Sequence, residues 1–190
     1  MRVIAGKYRS RPLQSLPGLD LRPTADRLRE TLFNVLTAGN PAALEGTVWL
    51  DLYAGTGAVG IEAVSRGASL VYFAESAPRA AELIKRNLTS LEIATGFQIL
   101  KQDSIRALRG LESSGAIADF VFLDPPYQME NAYTQALSAL AQSALLKPET
   151  IVIAEHQRKF DPGESFQSLR RYRKLVQGDA ALSFYRKQIA

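Results

Sequence analysis

The spacing of apolar and polar positions changes several times along the chain, and each change marks an element. Residues 2–14 (RVIAGKYRSRPLQ) hold short β-like pieces studded with arginine, which predicts a small basic hairpin or arm. Pro12, Pro17, Gly18 and Pro23 then interrupt the chain. From Thr24 to about Thr37, Leu28, Leu32, Val35 and Leu36 recur at helical spacing, with Thr24 as candidate N-cap and Asp26 in the positive first turn. After Gly39-Asn40-Pro41, apolar runs alternate with amphipathic segments. The runs predict strands over 47–53, 69–75, 97–103, 118–124 and 150–157. The segments between predict helices over 58–66, 77–91, 105–114 and 130–146, with Gly67 ending the first and Pro148 closing the last. Residues 168–176 and 181–189 flank Gln177-Gly178-Asp179-Ala180 and predict a closing hairpin. Strand–helix alternation with apolar strands predicts an α/β fold, a mostly parallel sheet covered on both faces, with one antiparallel strand from the hairpin. The expected division is a basic β arm over 1–22 and a main domain over 23–190.

Composition narrows the chemistry. The 190 residues are 46% hydrophobic and 22% charged, enough for one full core. There is no cysteine, which excludes disulfides, thiolate metal sites and a cysteine nucleophile. His156 is the one histidine, so no metal centre is expected, and it reads as a structural residue after a strand. Trp49 reads as core. No apolar run reaches the ~18 residues of a membrane span, and the N-terminus lacks a secretory h-region, so the expected setting is the cytoplasm, with no membrane partner. The net charge of +4 is unevenly placed: residues 1–22 carry +4, residues 157–190 carry +5, and the middle carries −5. Basic ends on an acidic body suit a polyanion such as a nucleic acid. Tyr172 and Tyr185 interleave with the basic residues of the last hairpin, where sheet packing and base stacking both suit them.

The first strand runs into Asp51-Leu52-Tyr53-Ala54-Gly55-Thr56-Gly57-Ala58-Val59-Gly60, so Gly55, Gly57 and Gly60 spell G-x-G-x-x-G between a strand and a helix. Glu75, at the end of the second strand, lies where a dinucleotide site also keeps its ribose-binding acid. Asp51 separates the readings, because a carboxylate at the mouth of the loop would repel a pyrophosphate and favour a ligand with a cationic end. S-adenosylmethionine is such a ligand: it has a ribose, an ammonium and a sulfonium, and no phosphate. Glu75 would accept from its ribose hydroxyls and Asp103 from its adenine amine, although Asp103 before Ser104 also reads as a helix N-cap.

The fourth strand ends in Asp124-Pro125-Pro126-Tyr127. Two prolines fix two φ angles and remove two donors, so Asp124 and the Pro125 carbonyl remain as acceptors beside the flat face of Tyr127. That set suits an exocyclic amine on a planar base. The acceptors take its two N–H bonds and aim the nitrogen lone pair at the methyl carbon, while the ring stacks on the base. A paired base would have to be flipped out.

At these motifs the chain resembles the bacterial 16S rRNA guanine-N2-methyltransferases of the RsmD type. The resemblance runs through RVIAGKYRSRPL, RPTADRLRETLFNVL (22–36), DLYAGTGAVGIEAVSRGA (51–68), FAES (73–76), the Asp-Pro-Pro-Tyr tetrad and the basic hairpin. It implies the class I S-adenosylmethionine-dependent methyltransferase fold, Rossmann-like, with seven strands and the last one antiparallel. It implies S-adenosylmethionine as donor and a guanine of 16S rRNA in the 30S subunit as target, in an enzyme expected to be a monomer. Asp51, Tyr53, Gly55, Gly57, Glu75, Ser76, Asp103 and Ser104 would then bind the donor. Asp124, Pro125, Pro126 and Tyr127 would hold the guanine amine. Arg2, Lys7, Arg9 and Arg11 of the arm, with Arg22 and Thr24, would meet RNA. Three other functions compete: a DNA adenine-N6-methyltransferase, which shares the tetrad but usually needs extra mass; a non-enzymatic RNA chaperone; and a nicotinamide oxidoreductase.

Overall fold

A computed structural model describes residues 1–15 and 23–188, without the side chains of residues 23–25. Arg22 lies outside the described residues, and nothing is placed for the Thr24 side chain. The elements in chain order are α1 (Pro23–Leu36), β1 (Val48–Leu52), α2 (Ala58–Ser65), β2 (Leu70–Ala74), α3 (Pro78–Ser90), β3 (Phe97–Leu100), α4 (Ser104–Ser113), β4 (Ala118–Leu123), α5 (Glu130–Gln142), β5 (Leu146–Gln157), β6 (Ser165–Phe166), β7 (Leu169–Gln177) and β8 (Ala180–Lys187). They build one sheet in the order β3-β2-β1-β4-β5-β8-β7-β6. The first five strands in that order are parallel, and β8 runs antiparallel to β5. This is the class I methyltransferase arrangement. Relative to the seven strands expected, it adds the two-residue edge strand β6, paired to β7 through Ser165 and Phe166.

Period-two alternation sorts the strand side chains into two layers. Trp49, Phe73, Phe120, Phe122 and Ile153 face the layer of α1, α2 and α3. Trp49 is fully buried there, between the rings of Phe33 and Phe120. Leu50, Leu52, Val121, Leu123 and Val152 face the layer of α4 and α5. Both faces being covered is why the strands read as apolar runs. Among the described residues no helix is long and apolar enough to cross a membrane.

Two boundaries differ from the sequence expectation. Helix α1 begins at Pro23, so Thr24 falls inside the first turn and is not the cap. Helix α5 ends at Gln142, four residues before the expected end, and Pro148 does not close it. Ser143 turns extended, and Glu112 of α4 accepts from the Ser143 hydroxyl and the Ala144 N–H. Burial of Leu145 and Leu146 then draws this stretch into the sheet, with Leu146 paired to Ala118. Pro148 sits inside β5 where pairing skips to Ile151, a place where a missing N–H costs nothing.

The basic arm is bound tightly to the helix layer. Its two limbs meet at an Arg2–Pro12 bridge, and Val3 and Leu13 are buried. The fully buried carboxylate of Glu62 in α2 accepts from the Ile4 and Ala5 N–H groups at 2.7 and 2.9 Å, and from Arg66 at 2.8 Å. Asn87 of α3, also fully buried, exchanges two hydrogen bonds with the Gln14 backbone and donates a third to the Thr56 carbonyl in the glycine loop.

Candidate active site

Parallel register brings the chemistry to one edge. The final pairs, Leu52 with Ala74 and Leu123, and Leu123 with Ala154, leave Tyr53, Glu75, Asp124 and Glu155 as the next residues of four adjacent strands. A cleft of about 1960 Å³ opens over that edge. Its walls include Gly55, Glu75, Asp103, Asp124, Tyr127 and Glu155.

The glycine loop is shaped from within. Tyr53 has φ 63, an uncommon value for a residue with a side chain, and its hydroxyl accepts from Ser104 at 2.7 Å. Gly57 has φ 77 as it turns the chain into α2. The Gly55 N–H donates to Glu75 at 2.8 Å, the Gly60 N–H to Asp51 at 2.9 Å, and the Gly57 N–H to the Ala54 carbonyl. Two of these N–H groups are thus held by acids and the third by a backbone carbonyl. Glu75 also accepts from Ala77, which fixes its carboxylate while leaving lone pairs toward the cleft.

Asp51 does not stand at the mouth of the loop as the sequence suggested. It lies in β1 on the α2 side, is 1% exposed and does not line the cleft. Burial, with smaller contributions from Asp124 and Glu75, pushes its carboxyl up to about 8 against the pull of the Gly60 bond. At pH 7 it is mostly protonated, so the repulsion expected of its charge is absent. Gly57 likewise shapes the loop without lining the cleft, whereas Tyr53, Gly55, Glu75, Ser76, Asp103 and Ser104 all line it. Asp103 does cap α4, accepting from the Arg106 N–H at 3.0 Å, and still borders the cleft.

The tetrad forms the facing wall. Pro125 is buried, Pro126 is exposed with its carbonyl accepting from Met129, and Tyr127 is 39% exposed. Burial pushes Asp124 up to about 7. The Tyr133 hydroxyl donates to the Glu155 carbonyl at 2.8 Å and stands 3.5 Å from the Pro125 carbonyl, so β5, α5 and the tetrad meet at one atom.

Sequence reasoning passed over Glu62, Asn87, Tyr133 and Glu155. The first two left a signal: a charged and an amide residue on otherwise apolar helix faces require buried partners. Glu155 left none, because TIVIAEHQ reads as a strand whatever its last residues face.

Arg2, Lys7, Arg9 and Arg11 are exposed, and none of them lines the cleft. The arm tip meets Ser65 at the end of α2, and Arg11 donates to the Ser90 carbonyl at the end of α3. Both helices start at the cleft, so the tip lies at the far end of helices about 12 and 20 Å long. Among the described residues, the basic ones bordering the cleft are Arg158 and Lys159. His156 is buried between Ser183 and the Gln157 carbonyl, as a structural histidine should be. Tyr185 is buried with its hydroxyl on the Gly163 carbonyl, whereas Tyr172 is 49% exposed under Arg186.

The family described as Conserved hypothetical protein 95 matches residues 1–186, nearly the whole chain. The chain belongs to this family, which is the RsmD type. The Bacillus subtilis protein YlbH is 32% identical over 99% of this chain and 100% of its own. Ribosomal RNA small subunit methyltransferase D of Haemophilus influenzae is 36% identical over 83% of this chain and 79% of its own. Among solved structures, yhhF of Escherichia coli superposes with a TM-score of 0.82 at 26% identity, covering 100% of this chain and 99% of that one. SMU.776 in complex with SAH superposes at 0.68 with 14% identity, over 87% of this chain and 50% of that one, a likeness of fold alone.

Proposed function

We propose that this protein transfers a methyl group from S-adenosylmethionine to the exocyclic N2 amine of a guanine in 16S rRNA of the small ribosomal subunit. The observation that carries the reading is the shared cleft in which the Gly55–Glu75 wall faces Asp124, Pro125 and Tyr127. Relatives named for small-subunit rRNA methylation support the RNA class.

The residues present suit the donor. Glu75, held by Gly55 and Ala77, would take the ribose; Asp103 and Ser104 would border the adenine; the loop at Tyr53–Gly57 would carry the cationic end. S-adenosylmethionine supplies a methyl carbon made electrophilic by positive sulfur. The protein's own groups do the rest. Asp124 Oδ and the Pro125 carbonyl accept the two amine N–H bonds and turn the nitrogen lone pair toward the methyl carbon. Tyr127 fixes the plane of the base. On transfer the amine nitrogen would shed a proton, and a carboxyl raised to about 7 is matched to receive it. Arg158 and Lys159 grip phosphates beside the base, and the arm makes a second contact further along the RNA. The protein works as a monomer in the cytoplasm, on an assembled or assembling 30S particle, and uses no metal.

The test is tritiated donor incubated with 30S particles, free 16S rRNA and duplex DNA. Label on guanine N2 in small-subunit RNA is the expected result; label in DNA adenine, or none anywhere, refutes the reading. Asp124→Ala should keep donor affinity by calorimetry and lose transfer.

A further inference from the structure

Glu155 has no part in the mechanism above, yet it stands in the same cleft. Strand pairing makes it the residue after Ala154, just as Asp124 follows Leu123, so the two acids are neighbours across β4 and β5 at the reacting edge. Its backbone is pinned by the hydroxyl that also approaches the Pro125 carbonyl, so its position is tied to that of the tetrad. The charged and titratable groups around it come from three elements: Asp124 beyond β4, Arg29 on α1, and Tyr133 on α5. Arg29 is itself engaged by Asp26 and the Arg2 carbonyl, so it does not neutralise Glu155 in an ion pair of its own.

A guanine whose N2 amine lies on Asp124 and Pro125 presents its N1–H next to that amine, on the same edge of the ring. The group beside Asp124 on the neighbouring strand is Glu155. We propose that Glu155 accepts the N1–H of the target base and so selects guanine over bases whose N1 is a bare lone pair. The inference rests on the guanine-N2 reading and adds the residue that enforces it. Adenine and 2-aminopurine both place a lone pair at N1. Against a carboxylate oxygen, that lone pair is repelled and leaves the acid without its donor. Burial and the nearby Asp124 hold the Glu155 carboxyl well above the usual carboxylate range, so the selection operates at alkaline pH, where the acid is ionised; a protonated Glu155 would instead donate to a bare N1.

The experiment uses the full-length protein and 30S particles reconstituted with 16S rRNA carrying either guanine or 2-aminopurine at the target position. Both bases have the 2-amine, and only guanine has N1–H. At alkaline pH, wild type should favour guanine in kcat/KM by about a hundredfold, the order expected when one buried charged acceptor is left without its donor. Glu155→Gln keeps a carbonyl oxygen but can also turn an N–H toward a bare N1, so its preference should fall by at least about tenfold, with donor affinity unchanged. A Glu155→Gln enzyme that loses rate equally on both bases, or on neither, overturns the proposal. If that variant loses donor binding, Glu155→Asp decides. It keeps a carboxylate and should keep the preference while losing rate; a collapsed preference there also overturns the idea. Wild type that labels no guanine removes the functional reading itself, whereas labelled guanine with an unchanged preference removes only the role of Glu155.

Discussion

Two glycine-to-alanine substitutions in helices should move stability in opposite directions. At Gly60, in the first turn of α2, an added Cβ would stand 2.3 Å from Phe73 Cε1 and 2.9 Å from both Phe73 Cζ and Val71 Cγ1. Ordinary contact begins near 3.4 Å, so helix and ring must part by about 1 Å. Phe73 is fully buried in β2 and Ile84 of α3 packs on the same loop, so neither side has room to yield. Overpacking of this kind costs about 1–3 kcal/mol, against roughly 1 kcal/mol gained from helix propensity. At Gly110, in α4, the nearest atom to an added Cβ is Gln102 Nε2 at 3.8 Å, so only the propensity gain remains. Urea unfolding should therefore show Gly110→Ala more stable by about 0.5–1 kcal/mol and Gly60→Ala less stable by up to about 2 kcal/mol. Gly60 also holds Asp51 and continues from the donor loop, so its displacement by about 1 Å should weaken S-adenosylmethionine binding by an order of magnitude or more in calorimetry. Gly110→Ala should leave binding alone. If Gly60→Ala matches wild type in both measurements, the close packing of α2 on β2 does not set the loop.

Glu62→Gln would leave a buried N–H facing an amide or Arg66; a loss of about 3 kcal/mol and faster hydrogen exchange at Ile4 and Ala5 are expected, and unchanged exchange would show that Glu62 does not hold the arm. Asp51 is protonated in the native state to about pH 8 but ionises near 4 when unfolded, so the native state loses stability as pH rises between those values. Asp51→Asn removes that dependence, and its stability relative to wild type should climb by up to about 1.4 kcal/mol per pH unit across the window; a flat difference would contradict the burial of the acid. In the proposed mechanism Asp124 accepts an amine hydrogen as the carboxylate, so kcat/KM should rise with pH through about 7, and a pH-independent rate between 6 and 8 would exclude that role. Neutralising Arg158 with Lys159, or Arg9 with Arg11, should each flatten the salt dependence of RNA binding by about 0.7–0.9 for every phosphate left without its cation; an unchanged slope removes that pair from the interface.

The order of strands and helices, the two-layer core and the tetrad wall were legible in the chain, because periodicity, proline and glycine act locally. Trp49 inside an apolar strand could only be core, and a carboxylate followed by two prolines at a strand end could only present acceptors. Gly39-Asn40-Pro41 stopped a helix as its backbone chemistry requires. The end of α5 was not legible, because what stops that helix is Glu112, an acid from another helix, together with the pull of Leu145 and Leu146 toward the sheet.

The amino-acid order alone determined the class of fold, the glycine loop and the rigid Asp-Pro-Pro-Tyr wall, since each depends on neighbours within a few residues. Tertiary structure decided which acids face the cleft. Asp51 and Glu155 each lie near the end of an apolar strand, and nothing local separates them. Parallel pairing buries the first behind α2 and carries the second to the open edge beside Asp124, because register and helix packing, unlike turn chemistry, are settled between segments far apart in the chain.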